Sequence, residues 1–148
     1  VDSFGALYSE QISYLAKKYK GAMPSREIGI HAHNNQQLAF ANTIEAIIQG
    51  INYLDGTIFG IGRAAGNCPL ELLLGFLKNP KFNIRPILNV LGKDFVKLRE
   101  EIEWGYTIPY MITGILDLHP RAGMKLRNSE DKDEYLGFYE KLTSEANV

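Results

Sequence analysis

The run Ile28-Gly29-Ile30-His31-Ala32-His33-Asn34-Asn35 sets two histidines one residue apart. In an extended chain alternate side chains share a face, so His31 and His33 point the same way. Two imidazoles on one face are spaced to grip a single divalent cation. The run then breaks into asparagines and a helical pattern follows. That places the pair at the carboxyl end of a strand, where parallel α/β folds collect ligands. Imidazole alone suits zinc, manganese, iron or copper, and added oxygen donors shift the choice toward manganese or magnesium.

A second stretch that can do chemistry is Gly60-Ile61-Gly62-Arg63-Ala64-Ala65-Gly66-Asn67. Its Gly60-x-Gly62-x-x-Ala65 spacing matches the dinucleotide fingerprint. That fingerprint also needs a second strand and an acidic residue about 20 positions on, and neither stands near Phe82. The better reading is a glycine-rich strand-to-helix turn that brings backbone close to a ligand. Asn67 and Arg63 then lie at the mouth of the site. Asn67 has two readings, as a carbonyl donor to the metal or as the cap of a helix starting at Pro69. Ser3 offers either a hydroxyl for a substrate carboxylate or a helix cap. Cys68 reads as a small buried residue, with no adjacent histidine to activate it. Trp104, Tyr106 and Tyr110 read as packing in an apolar stretch, and His119, before Pro120, as a surface turn.

These residues need elements to position them. Tyr8, Ile12, Leu15 and Tyr19 recur at helical spacing, closed by Gly21. Ile28 to His33 is a strand. Leu38, Ala41, Ile44 and Ile48 make a second helical stripe, ended by Gly50. Tyr53 to Phe59 is β-prone and short, a second buried strand. Leu70, Leu73, Leu74 and Leu77 make a third helix, ended before Pro80. Asp2, His31 and Gly60 mark strand ends 29 positions apart, the period of a β/α repeat with parallel strands. From Pro86 the pattern is helical only: Leu91, Phe95, Leu98 and Ile102 share a face, Thr107 to Leu118 is a buried helix, Asn128 to Asp133 a solvated charged run, and Tyr135 to Leu142 a loosely docked terminal helix. A full (β/α)8 barrel takes about 250 residues. The expected fold is therefore α/β: about three β/α units from the C-terminal portion of a TIM barrel over residues 1–80, then a helical extension over residues 81–148. The abrupt opening at Val1-Asp2 suggests a C-terminal piece of a larger protein.

Taken in order, Asp2-Ser3-x-Gly5, His31-Ala32-His33-x-Asn35 and Gly60-x-Gly62-x-x-Ala65-Gly66-Asn67-x-Pro69-x-Glu71 resemble the DRE-TIM metallolyases, most nearly the 4-hydroxy-2-oxovalerate aldolase branch. The resemblance is dense to about Leu77 and thin beyond. It implies a divalent metal, manganese first and magnesium, cobalt or zinc as alternatives, on His31, His33 and Asn67. It implies Ser3 on the pyruvyl carboxylate and Tyr106 as a catalytic phenol from the C-terminal region, while Arg63, at the mouth by the loop reading, is expected as a further substrate-binding residue. It implies cleavage of a 4-hydroxy-2-oxo acid to pyruvate, or a related 2-oxo acid, and an aldehyde. Cys68 does not match the catalytic cysteine of the acyl-CoA lyases. The family's arginine and aspartate ligand belong to a first strand that this sequence lacks, so the segment alone is expected to be inactive or a weak metal binder. The same motifs also serve a Claisen-type synthase acting on acyl-CoA and a 2-oxo acid. A degenerate barrel acting as an interaction module is the non-enzymatic alternative. A homodimer, and docking to a partner dehydrogenase, are further expectations of the resemblance.

Composition narrows the classes. A formal net charge of −1 leaves no electrostatic footprint for nucleic acid or an anionic membrane. No apolar run approaches the roughly 20 residues a bilayer span needs. The lone cysteine allows no internal disulfide, which agrees with an expected cytoplasmic location.

Overall fold

The computed structural model describes residues 1–146. Its first element is helix α1, Ser9–Ala22. The Gln11 side chain accepts the Tyr8 N–H at 2.8 Å, satisfying one of the donors a helix start leaves free. Glu10 in the first turn and Lys20 in the last both suit the helix dipole. Strand β1, Gly29–Ile30, follows, then α2, Ala39–Ile48, then strand β2, Tyr53–Leu54, and α3, Leu70–Leu77. Asn34 Oδ1 starts α2 by accepting the Ala39 N–H at 3.1 Å.

β1 and β2 pair in parallel, Gly29 with Tyr53 and Ile30 with Leu54. Asp2 adds a parallel bridge to Ala32 on the other side of β1. Three strand ends with helices between them thus stand side by side, as the motif spacing predicts: a partial (β/α) barrel. Ile12, Ala16, Ala46 and Ile51 form the core where α1 and α2 pack, with Leu7, Ile28 and Ile30 against it. A second cluster joins Ala32 and Ala39 to Cys68.

Two expectations need correction. The strand expected over Tyr53 to Phe59 stops at Leu54 and turns into a 3-10 helix over Ile58–Gly60. Nor is it buried, since Tyr53 is 57% exposed: the described sheet has two strands, and no further strand covers that side of β2. The 29-residue spacing of motifs is also not the pairing register, because Leu54, not Phe59, stands opposite Ile30.

Beyond α3 the chain is helical. α4, Arg85–Val90, runs through a π turn at Leu91–Phe95 into α5, Val96–Glu101. α6, Ile108–Ile115, is largely buried, and α7, Arg121–Arg127, and α8, Tyr135–Ala146, follow. α7 lies in a stretch for which the apolar spacing predicted no helix. The run 128–133 is exposed, as expected. The extension folds back onto the carboxyl-end side of the strands: Gln36 Nε2 donates to both the Gly5 and Gly114 carbonyls at 3.2 Å. Among the described residues no helix is long and apolar enough to cross a membrane.

Candidate metal site

Three backbone strands converge on the two histidines. The Asp2 N–H donates to the His31 carbonyl at 2.9 Å, and the His33 N–H returns to the Asp2 carbonyl at 3.3 Å. The Asp2 carboxylate is buried and accepts the Ala6 and Leu7 N–H groups, so it staples the turn and is not itself a metal donor. On the far side His33 bridges Asn67, and the Asn34 N–H donates to the Gly66 carbonyl at 2.9 Å.

Held this way, the His31 and His33 rings stand 5.1 Å apart between centroids, edge to face at 78°. His31 Nδ1 lies 3.2 Å from Asp55 Oδ2. A carboxylate on one ring nitrogen fixes the tautomer and leaves the other nitrogen to a metal, the usual support of a ligating histidine. Sequence reading missed Asp55. Its signal was the parallel register, which carries the Ile30–Leu54 pairing one step further to His31 and Asp55. Burial lowers the pKa of His33, and the neighbouring His31 and Arg63 push the same way against Asp2 and the Gly66 backbone. The shift favours the neutral ring, the form that can ligate.

Asn67 completes the arrangement. Its amide nitrogen donates to the Ile61 carbonyl at 3.2 Å, while its carbonyl oxygen is buried with no partner. A buried acceptor without a donor costs about 1–3 kcal/mol, which a cation at that point would relieve. The capping alternative fails: α3 begins at Leu70, and no side chain caps it. Two imidazoles and an unpaired amide oxygen are donor types that a divalent cation takes. Among the described residues no group of three or more His, Cys, Asp or Glu side chains is placed to hold one.

The glycine loop owes its shape to a clamp on Phe59, a left-handed residue at φ 56°. The Phe59 N–H donates to Glu71 Oε2 at 3.0 Å, and Trp104 Nε1 donates to the Phe59 carbonyl at 2.8 Å. Arg99 sits 4.8 Å over the Phe59 ring. The next carbonyl, of Gly60, takes the Asn67 N–H at 3.0 Å. Trp104 is thus more than core filling. Gly66, at φ 82°, passes so close to Gly60 that a β-carbon there would strike the Gly60 carbonyl oxygen.

Ser3 and Arg63 meet at the mouth, where Arg63 Nη2 donates to the Ser3 carbonyl at 3.1 Å. Tyr106 is 52% exposed and, among the described residues, shares no ring contact or hydrogen bond with the histidines. The tyrosine that touches the glycine loop is Tyr110, buried against Ala64 and Ala65 with its hydroxyl accepting from Arg127 at 2.7 Å. His119, read from sequence as a surface turn, packs its ring 5.4 Å from Phe4, beside Ser3.

Parallel β/α units, one of them ending in paired histidines, define a segment of a (β/α) barrel. Residues 2–96 match the HMGL-like family, and the chain belongs to that family. It is 38% identical over 104 residues to a 4-hydroxy-2-oxovalerate aldolase of Thermus thermophilus, covering 70% of this chain and 28% of that protein. A 4-hydroxy-2-oxovalerate aldolase of Thermomicrobium roseum is 35% identical over 81% of this chain and 30% of its own length. An oxaloacetate decarboxylase of Mycobacterium tuberculosis is 41% identical over 53% of this chain and 23% of that protein. The chain thus spans less than a third of these relatives. Among solved structures it is similar to the N-terminal domain of an aldolase candidate from Bacteroides vulgatus, with a TM-score of 0.75 and 34% identity over 86% of this chain and 44% of that one.

Proposed function

We propose that the intact protein cleaves the C3–C4 bond of a 4-hydroxy-2-oxo acid, giving pyruvate or a related 2-oxo acid and an aldehyde, with a divalent cation held by His31, His33 and Asn67. One observation carries this reading: the paired imidazoles lie on a strand bridged to Asn67, whose buried amide oxygen has no donor of its own. Manganese is the first choice, because an oxygen donor beside two nitrogens favours it over softer ions. Bound there, the cation supplies Lewis acidity that stabilises the enolate left by bond cleavage.

The chain's own residues do the rest. Asp55 orients His31, and the strand bridges aim His33. Ser3 receives the carboxylate of the 2-oxo acid and Arg63 binds the substrate further out at the mouth, while the exposed Tyr106 must turn inward to bring its phenol to the substrate. The 4-hydroxyl gives up its proton to a base, the C3–C4 electron pair passes into the enolate, and C3 is then protonated. Decarboxylation of a 2-oxo diacid leaves the same enolate, which accommodates the oxaloacetate decarboxylase likeness. The 148-residue chain alone should turn over no substrate, since two imidazoles and an amide do not close a coordination shell. The helical extension is the surface this reading gives to a second copy or to a dehydrogenase that would take the aldehyde.

The test is pyruvate release from 4-hydroxy-2-oxopentanoate by the intact protein, with manganese and after chelation. Release that needs metal, and that His31→Ala and His33→Ala each abolish together with metal binding, supports the reading. A protein that binds no manganese and releases no pyruvate sinks it. Condensation of acetyl-CoA with a 2-oxo acid instead would move the protein to the synthase branch.

A further inference from the structure

The turn between α6 and α7 brings a third histidine to the mouth. Ser3 and Phe4 follow directly on Asp2, whose backbone bridges the histidine strand. The Ser3 carbonyl holds Arg63 at 3.1 Å, and the Phe4 ring holds His119 at 5.4 Å. Two adjacent residues therefore gather a guanidinium and an imidazole on one side of the candidate metal site. His119 Nδ1 accepts the Arg121 N–H at 3.1 Å. A neutral His119 must then carry its hydrogen on Nε2, as a donor. Partial desolvation, with Arg121 and Arg63, lowers the pKa of His119, which favours that neutral form.

Among the described residues the salt bridges join His31 to Asp55 and Arg127 to Glu103, so neither Arg63 nor Arg121 is paired with a carboxylate. Arg63 spends one donor on Ser3 and keeps the others free. A planar fork and an N–H donor held on neighbouring residues, close enough for Arg63 to act on the charge of His119, can together receive a carboxylate.

We propose that Arg63 and His119 form a subsite for a second carboxylate, so that the substrate is a 4-hydroxy-2-oxo acid with a carboxylate at its far end. This rests on the aldol reading above, in which the first carboxylate and the keto oxygen belong to the cation and Ser3. His119 reaches the site only because the helical extension packs over the strand ends.

Two 4-hydroxy-2-oxo acids, alike except for a methyl or a carboxylate at the far end, should be compared on the manganese-loaded intact protein. The diacid should be preferred by about tenfold or more in kcat/KM. His119→Phe and Arg63→Met should each erase that preference through KM, and His119→Gln, which keeps a donor, should restore part of it. Equal kcat/KM for the two acids, or a preference that survives His119→Phe, overturns the subsite. A second measurement needs neither metal nor turnover. Succinate and acetate are titrated into the chelated intact protein while the His119 ring is followed by NMR. Succinate or acetate shifting the His119 Nε2 resonance, with the shift lost in Arg63→Met, supports the subsite even where no aldol cleavage is found. No shift with either anion overturns it even where cleavage is found.

Discussion

Asn67 gives its amide hydrogen to Ile61 and leaves its carbonyl oxygen buried and unpaired beside the histidine strand. Removing the side chain loses one hydrogen bond, about 1 kcal/mol, and also removes an unsatisfied acceptor that costs about as much. Asn67→Ala should therefore change metal-free stability by no more than about 1 kcal/mol, while manganese affinity measured by calorimetry falls severalfold. A large loss of stability with unchanged affinity would make the amide structural instead. Cys68 is the opposite case, a reactive type placed where it cannot react. It is fully buried, and burial pushes its thiol pKa up, with Glu71 adding to this against a hydrogen bond from Thr43. A raised folded-state pKa gives stability that is full below the ordinary thiol range and is lost as pH climbs through it. At neutral pH a thiol reagent should modify Cys68 only at the rate of unfolding. Fast labelling of the native chain would contradict its burial.

At the scale of elements, the glycine loop is held by its neighbours more than by its own sequence. Phe59 is fixed in the left-handed region from both sides, by Glu71 at its N–H and Trp104 at its carbonyl. Trp104→Phe keeps most of the ring but leaves that carbonyl without its donor, which should cost about 1–2 kcal/mol in urea unfolding. Gly66→Ala should cost more, about 3 kcal/mol, because a β-carbon there both strikes the Gly60 carbonyl and sits at φ 82°. The ranking is the check: a Gly66→Ala protein as stable as Trp104→Phe would mean the loop relaxes freely. The sequence made the loop and the histidine strand legible, because glycine spacing and alternation are local signals. It showed the second strand but not where that strand stops, since Tyr53 to Phe59 is β-prone throughout and only the pairing register ends it at Leu54. Asp55 and His119 were invisible for the same reason. Each matters through a partner, His31 or Phe4, that is distant in the chain.

For the whole molecule, reading the chain as barrel units plus an extension captures the order of elements but not how they are joined. Trp104 on Phe59, Tyr110 on Ala64 and Ala65, Gln36 between Gly5 and Gly114, and His119 on Phe4 all cross from the extension to the strand-end loops. Buried contacts of this kind should make the two parts unfold as one cooperative unit. The chain contains one tryptophan, and it lies at the joint. Its fluorescence therefore reports the crossing contacts, while far-ultraviolet circular dichroism reports the helices of both parts. The two signals should follow one curve in urea, with the same midpoint. If fluorescence changed first while most of the helical signal persisted, the extension would be a separate lid over the strand ends, and His119 could leave the mouth without the β/α units unfolding.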